Sequence, residues 1–329
     1  MTGRALYFTG PESVTVRKQP IPEPGPGEVR VHTVRSGVSP GTELLVYRGE
    51  LTSELATDET IDSLNGTFSY PLQYGYATVG RVTAVGEDVE NGWLDRRVFA
   101  FNPHESHFLA EPETLTPTTL APERAVLIPN TEAAVNFVMD ARPRIGARVV
   151  VFGQGPVGLL TTALLDEFPL STLVTVDPDE TRRDLSESLG ADRSVEPADV
   201  DEAMAADADI AFELSGNPAA FDDALDVTGY AGQVIVGSWY GNKDVTLDLG
   251  KDYHRSHIRV RSSQVSRIDP DHADRWDKER RLDVVRSWLS RVDLPGLITH
   301  RMDIGQADEA YQLLDERRDD AVQVVFTYE

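Results

Sequence analysis

The chain has 329 residues, 40% of them apolar, with 25 Gly and 20 Pro, the make-up of a turn-rich globular protein long enough for two domains. Acids outnumber bases 55 to 31, for a net charge of −24, which argues against a nucleic-acid partner. The absence of cysteine excludes disulfides, thiolate catalysis and any cysteine-held zinc or iron–sulfur centre.

No apolar run approaches the roughly 18 residues of a membrane span, and "MTGRALYFTGPESV" shows no secretory pattern, so a cytoplasmic protein without membrane contact is expected. The acids are spread along the whole chain. That distribution suits a high-salt cytoplasm, where screening over about 3 Å at 1 M salt removes self-repulsion. Seven histidines remain as metal-ligand candidates, but "HESH" at 104–107 is only an i, i+3 pair, and no bound metal is expected.

In chain order, residues 1 to about 125 alternate short β-like runs with turns. "EVRVHTVRSGV" and "ATVGRVTAVG" place β-branched residues between Gly and Pro and predict strands. "IPEPGPGEV" is a rigid connector, because each proline fixes φ and removes a donor. Residues 50–70 are acidic and weakly helical in pattern, and are expected to form a surface excursion. From Ala147 strands alternate with helices. "ARVVVF", "STLVTVD", "ADIAFELSG", "GQVIVGSW" and "SHIRVRSSQ" read as strands, with helices over "PVGLLTTALLDEF" and "DETRRDLSESLGAD". This α/β pattern predicts a doubly wound parallel sheet of βαβ units. After about 265 come two amphipathic helices, "ERRLDVVRSWLSRV" and "QADEAYQLLDER", and a closing strand, "AVQVVFTY".

Gly153, Gly155 and Gly158 form G-x-G-x-x-G between a predicted strand and a predicted helix. The first glycine permits a tight turn, the second lets backbone approach a pyrophosphate, and the third lets helix pack on strand. Free amides at the helix start, with Pro156 and Val157, then favour the phosphates. Asp177 ends "LVTVD" 19 residues past Gly158, where a carboxylate accepts both ribose hydroxyls and repels a 2′-phosphate. NAD is therefore expected over NADP, with Arg182 and Arg183 as the groups that could accommodate a phosphate. Ser215 in "ELSG" and Gly237, Ser238 and Trp239 in "GSWYG" follow later strands. They are expected beside the nicotinamide, with Trp239 walling a substrate pocket.

An N-terminal β region, a nucleotide-binding unit and a C-terminal return segment together resemble the medium-chain dehydrogenase/reductase (alcohol dehydrogenase-like) superfamily. The resemblance runs through "PGPGEVRVHTVRSGVSPGTELLVYRGE", "YPLQYGYATVGRVTAVGEDVE", "RVFAF" and "ITHRMDIGQADEAYQLLDER". It implies a GroES-like β-barrel catalytic domain over 1–125 and 264–329 and a Rossmann domain over 126–263, with substrate between them. Where zinc-bearing members carry a cysteine, this chain has Ser39. Gly75-Tyr76-Ala77 stands for their Gly-His-Glu, and the third ligand falls near Pro129. The cysteine-rich structural-zinc lobe is also missing. The resemblance thus implies a zinc-lacking member, and "SPGTE" and "YGYATVG" are further similar to the bacteriochlorophyllide hydroxyethyl dehydrogenase group. It also implies a homodimer or homotetramer acting on a small molecule.

Tyr76, so placed, either donates a proton to the substrate oxygen or fills the vacated metal space. A phenol of reference pKa about 10 is a donor rather than a base at neutral pH. Ser39 and Thr42 are further hydroxyl candidates, or turn residues of "SPGTE". Glu43 is a buried carboxylate or a helix-start acid, and Tyr47 a core residue. Asn102, His104 and His107 follow a strand and could line the cleft, and a histidine titrating near 6.5 suits a proton relay. The expected activity is zinc-independent, NAD(H)-dependent hydride transfer between nicotinamide and an alcohol or carbonyl. The alternatives are a quinone or enone reductase, and a non-catalytic dinucleotide-binding sensor or structural protein.

Overall fold

Strand-forming alternation begins at once in the computed structural model, which describes residues 2–61, 63–204, 207–317 and 321–328. These fall into two compact units: 1–129 with 286–292 and 298–329, and 130–285 with 293–297. Expectation from the sequence put the divisions at 125 and 264.

In the first unit, β1 (Thr2–Gly10) and β2 (Ser13–Pro20) form an antiparallel pair. The proline connector leads into β3 (Val29–Gly37), and α1 (Pro40–Arg48) starts with proline in its first turn. β4 (Thr78–Val85), β5 (Arg97–Ala100), β6 (His107–Ala110) and the short β7 (Thr116–Pro117) follow, then α2 (Pro122–Ala125). The next helix, α3 (Ile128–Ala141), lies from residue 130 on in the second unit.

The second unit alternates strand and helix. β8 (Arg148–Phe152), α4 (Pro156–Leu165), β9 (Thr172–Val176), α5 (Glu180–Ser188) and β10 (Arg193–Val195) come first. Then follow α6 (Val200–Met204), β11 (Ala208–Glu213), α7 (Pro218–Asp226), β12 (Thr228–Val236), α8 (Asp252–Arg255) and β13 (Arg259–Ser262). Helix α9 (Lys278–Leu289) precedes β14 (Ile298–Asp303), α10 (Ala307–Glu316) and β15 (Gln323–Thr327), and these last three belong to the first unit.

The second unit's sheet has six parallel strands in the order β10-β9-β8-β11-β12-β13. Numbered from β8, this is the 3-2-1-4-5-6 order of doubly wound dinucleotide-binding sheets. Its strands are apolar on both faces because helices cover both. Val150, Val174, Ala211 and Val234 join one core cluster, and Val149, Val151, Leu173 and Phe212 another.

The first unit's larger sheet has seven strands, running β14-β15-β3-β4-β5-β7 with β6 on β3. Its core gathers Leu6, Phe8, Leu44, Tyr47, Tyr311 and Phe326. Ala307, Ala310, Tyr311 and Leu314 line the buried stripe of α10 at helical spacing.

Three local expectations change. Among the described residues of 50–70 there is no helix. Asp58 Oδ1 instead accepts the amides of Thr60 and Ile61, and Ala56 bridges Thr67, so short polar side chains divert the backbone into turns. Helix α3 and strand β10 stand where no element was expected.

Candidate functional site

Strand β8 carries the chain into Gly153, at φ +91°, where a Cβ would lie 2.6 Å from Ser215 Cα. A Cβ on Gly158 would stand 1.9 Å from the Gly153 carbonyl oxygen, so the loop and the first turn of α4 touch through backbone. At Gly155 a Cβ would meet nothing within 4 Å. Pro156 sits in the first turn of α4, and no side chain caps that end. The leading amides, including Val157's, are thus left for an anion.

Asp177, 4% exposed, follows β9 directly. Its Oδ2 accepts the Gln154 amide at 2.7 Å and its Oδ1 the Asp179 amide at 3.0 Å. The carboxylate is thereby tied to the glycine loop, and its oxygens keep further lone pairs. Arg183 lies over the same strand end, donating to the Asp177 and Pro178 carbonyls at 2.9 and 2.8 Å, with Glu196 at 3.4 Å. Arg182 lies in the first turn of α5, its amide capped by Asp179 at 2.7 Å.

The loops after β11 and β12 share one buried carboxylate. Glu213 accepts the Ser215 amide at 2.8 Å, the Ser215 hydroxyl at 2.5 Å and the Tyr240 hydroxyl at 2.6 Å. Burial, with Glu213 alongside, pushes the Tyr240 phenol far up. The Gly216 amide donates to Ser238 Oγ at 2.8 Å, linking the two loops a second time. Gly237 is hemmed in, since a Cβ would meet Phe137 at 2.5 Å, whereas Trp239 is 40% exposed. Sequence reasoning passed over Glu213 and Tyr240. The available signal is an acid closing an otherwise apolar strand run.

In the first unit Ser39 is the N-cap of α1, yet its hydroxyl makes no capping bond. It accepts instead from the Tyr76 hydroxyl at 2.6 Å, and Thr42 Oγ1 lies 3.2 Å from the same phenol. Ser39, Thr42 and Tyr76 therefore form one hydroxyl cluster. Tyr76 is half-buried, and burial pushes its phenol up to about 12. At neutral pH the phenol keeps its proton.

The histidine expectations need correction. His104 is fully buried, with Nδ1 2.6 Å from Ser36 Oγ and Nε2 3.0 Å from Glu43, so no ring nitrogen is free to meet a substrate. His107 stacks on His32 at 4.6 Å, and burial, with His32 and Arg30 nearby, lowers its pKa to about 4. It stays neutral where a relay would have to titrate. Asn102 is buried and bonds Pro103 and Glu105, at the edge of a polar cavity of about 470 Å³ that also includes Tyr7, Thr57 and Gln73. Tyr76 does not line that cavity. Tyr47 is a core residue at 3% exposure, and Glu43 is both a first-turn acid and fully buried.

The sequence profile of the zinc-binding dehydrogenase family matches residues 156–278. The (R,R)-butanediol dehydrogenase of Bacillus subtilis is 27% identical over 302 residues, covering 80% of this chain and 84% of its own. An alcohol dehydrogenase of Escherichia coli CFT073, solved with NADH, superposes with a TM-score of 0.80 at 18% identity, over 99% of both chains. A zinc-binding-type dehydrogenase of Sinorhizobium meliloti 1021, bound to NADP, gives 0.78 at 19% identity over 100% of both chains. These structural likenesses establish the fold.

At the three positions that the resemblance assigns to metal ligands, the residues present offer no thiolate, imidazole or carboxylate, and a metal does not fit them. Ser39 and Tyr76 are bonded hydroxyl to hydroxyl, and the Pro129 side chain carries no donor atom. Among the described residues no three His, Cys, Asp or Glu side chains are grouped to hold a metal ion.

Proposed function

We propose, for a chain that belongs to the medium-chain dehydrogenase/reductase (alcohol dehydrogenase-like) superfamily, a zinc-independent, NAD-linked hydride transfer between nicotinamide and an alcohol or carbonyl substrate. Membership makes it an NAD(P)-dependent dehydrogenase. The finer reading rests on one observation, the Tyr76 phenol held by Ser39 and Thr42, taken together with the resemblance, which assigns that position to a metal ligand in zinc-bearing members.

A bound nicotinamide supplies the hydride donor or acceptor. The backbone of Gly153 to Gly158 holds the pyrophosphate, and Asp177 accepts the ribose hydroxyls while disfavouring a 2′-phosphate. Glu213 keeps the Ser215 and Tyr240 loops in place for the nicotinamide end. In the reducing direction the carbonyl carbon gains hydride and its oxygen gains the Tyr76 proton. Ser39 and Thr42 stabilise the phenolate left behind. In the oxidising direction the same proton travels back through the cluster.

Three coarser matters follow the same reading. The seven-stranded sheet of the first unit is taken as the GroES-like barrel. The protein is taken as a cytoplasmic homo-oligomer pairing through β13, an edge strand on which Val260 is 39% exposed. A halophilic setting accounts for the acidic charge.

The test is a panel of secondary alcohols, diols, aldehydes and quinones at multimolar salt, following reduced-nicotinamide absorbance with a chelator present. Turnover of an alcohol–carbonyl pair, NAD preferred over NADP, and no stoichiometric zinc by elemental analysis are expected. Chelator-sensitive activity with one zinc per chain would overturn zinc independence, and turnover of quinones alone would move the reaction class.

A further inference from the structure

We propose that the buried chain Glu43–His104–Ser36–Tyr328 is a positioning device for the reaction, fixing the Ser39 and Thr42 hydroxyls against the Tyr76 phenol; the inference rests on the reading of Tyr76 as proton donor. Glu43 and Ser36 are fully buried, as is His104, and Tyr328 is 5% exposed. Three groups converge on Glu43. Its Oε1 accepts the Ser39 amide at 2.7 Å, and its Oε2 lies 3.0 Å from His104 Nε2 and accepts from the Tyr311 hydroxyl.

The chain continues from the other side of the ring. His104 Nδ1 is hydrogen-bonded to Ser36 Oγ at 2.6 Å, and Ser36 Oγ to Tyr328 OH at 2.7 Å. Every polar atom along this path is satisfied, so no member can turn away without leaving a buried group unpaired.

Two contacts carry this rigidity to the hydroxyl cluster. A serine at an N-cap ordinarily spends its hydroxyl on a first-turn amide. Glu43 instead reaches back one turn and engages the Ser39 amide, and Ser39 Oγ, without a capping bond, accepts from Tyr76. At the other end the His104 ring packs on Gly75, at φ +112°, where a Cβ would lie 2.6 Å from Cδ2 and Nε2. His104 thus sets the backbone leading into Tyr76 and, through Glu43, the start of α1. Ser36, His104 and Glu43 repeat the order of a serine-nucleophile triad. No substrate reaches a fully buried Ser36 whose hydroxyl is already hydrogen-bonded to Tyr328, so the arrangement positions and does not attack.

The test is a double-mutant cycle on the best panel substrate, with cofactor affinity and melting measured on each variant. His104→Gln should lower kcat roughly 10- to 100-fold, the scale of a misplaced reacting group, with cofactor affinity unchanged. In the Tyr76→Phe background the same change should cost less than about twofold, because the hydroxyl it positions is gone. Should His104→Gln not fold, Ser36→Ala, which removes one hydroxyl, should show the same non-additivity with a smaller loss. An equal loss in both backgrounds, or none in either, overturns the positioning role. A silent Tyr76→Phe overturns the proton-donor reading and this inference with it, as does a panel without turnover.

Discussion

Asp177 works in two directions at once, and its replacement should show both. Toward the protein it accepts the Gln154 and Asp179 amides, and toward a cofactor it offers the remaining lone pairs. Asp177→Ala removes up to two charge-assisted bonds to ribose, each about 1.5–3 kcal/mol. NADH titration should therefore show affinity at least about tenfold weaker and a narrowed preference over NADP. Melting should fall as well, because the Gln154 amide loses its acceptor. Unchanged NADH affinity would contradict the assignment. Asp177 was legible because its meaning lies in local order: strand, glycine loop, helix, strand, acid. His104 was not, since its partner Glu43 is 61 residues away, and nothing in "FNPHESHF" says that the ring points inward. The position of Tyr76 came from the resemblance, and its bonds to Ser39 and Thr42 from the pairing of distant segments.

At the level of elements, continuous apolar runs were read correctly and turn-like openings were not. β8 and α4 declare themselves by unbroken hydrophobicity around the glycines. Helix α3 opens on "IPNT", where Pro and Asn interrupt any apolar run, although proline is acceptable in a first helical turn. Its role is visible only in three dimensions. Arg281, fully buried on α9, donates to Glu132 at 2.7 and 3.1 Å, to Asn136 at 2.5 Å and to the Val265 carbonyl, holding this stretch of α9 to α3. Arg281→Met should destabilise the protein by about 3–5 kcal/mol, because Glu132 is left buried without its cation. The pH dependence has a definite sign. Burial already raises Glu132 above its ordinary 4.5, and Arg281 opposes that rise. Without Arg281 the folded-state pKa moves further up, so the folded form binds the proton more tightly than the unfolded one. The variant's deficit relative to the parent should be least below pH 4.5 and grow as pH rises through the folded-state value. Melting curves of both proteins across that range would read it, and a deficit independent of pH would show that Glu132 stays charged without Arg281.

For the molecule as a whole, the net charge of −24 predicts a stability that depends on salt. Buried pairs such as Arg281–Glu132 are little affected by salt, so added ions act mainly on the surface acids. Their crowding is visible on α7. Asp223 is raised by burial and then by Asp222, Asp226 and Asp201, while Lys251 answers only locally, at 3.7 Å from Asp226 and 3.3 Å from Asp248. Raising ionic strength from 0.1 to 1 M shortens the screening length from about 10 to about 3 Å, less than the spacing of most surface charges. Thermal unfolding should therefore shift to higher temperature from low to multimolar potassium chloride, with most of the rise in the first molar, where screening changes fastest. Chloride rather than sulfate is the proper salt, because sulfate strengthens apolar burial in any protein and would mimic the effect. Neutralising Asp222 and Asp226 together to asparagine should raise the low-salt midpoint and shrink its salt dependence, since the repulsion that salt screens would already be removed. Equal midpoints at low and high chloride would mean that the acidic surface costs the fold nothing, and the high-salt setting would lose its support.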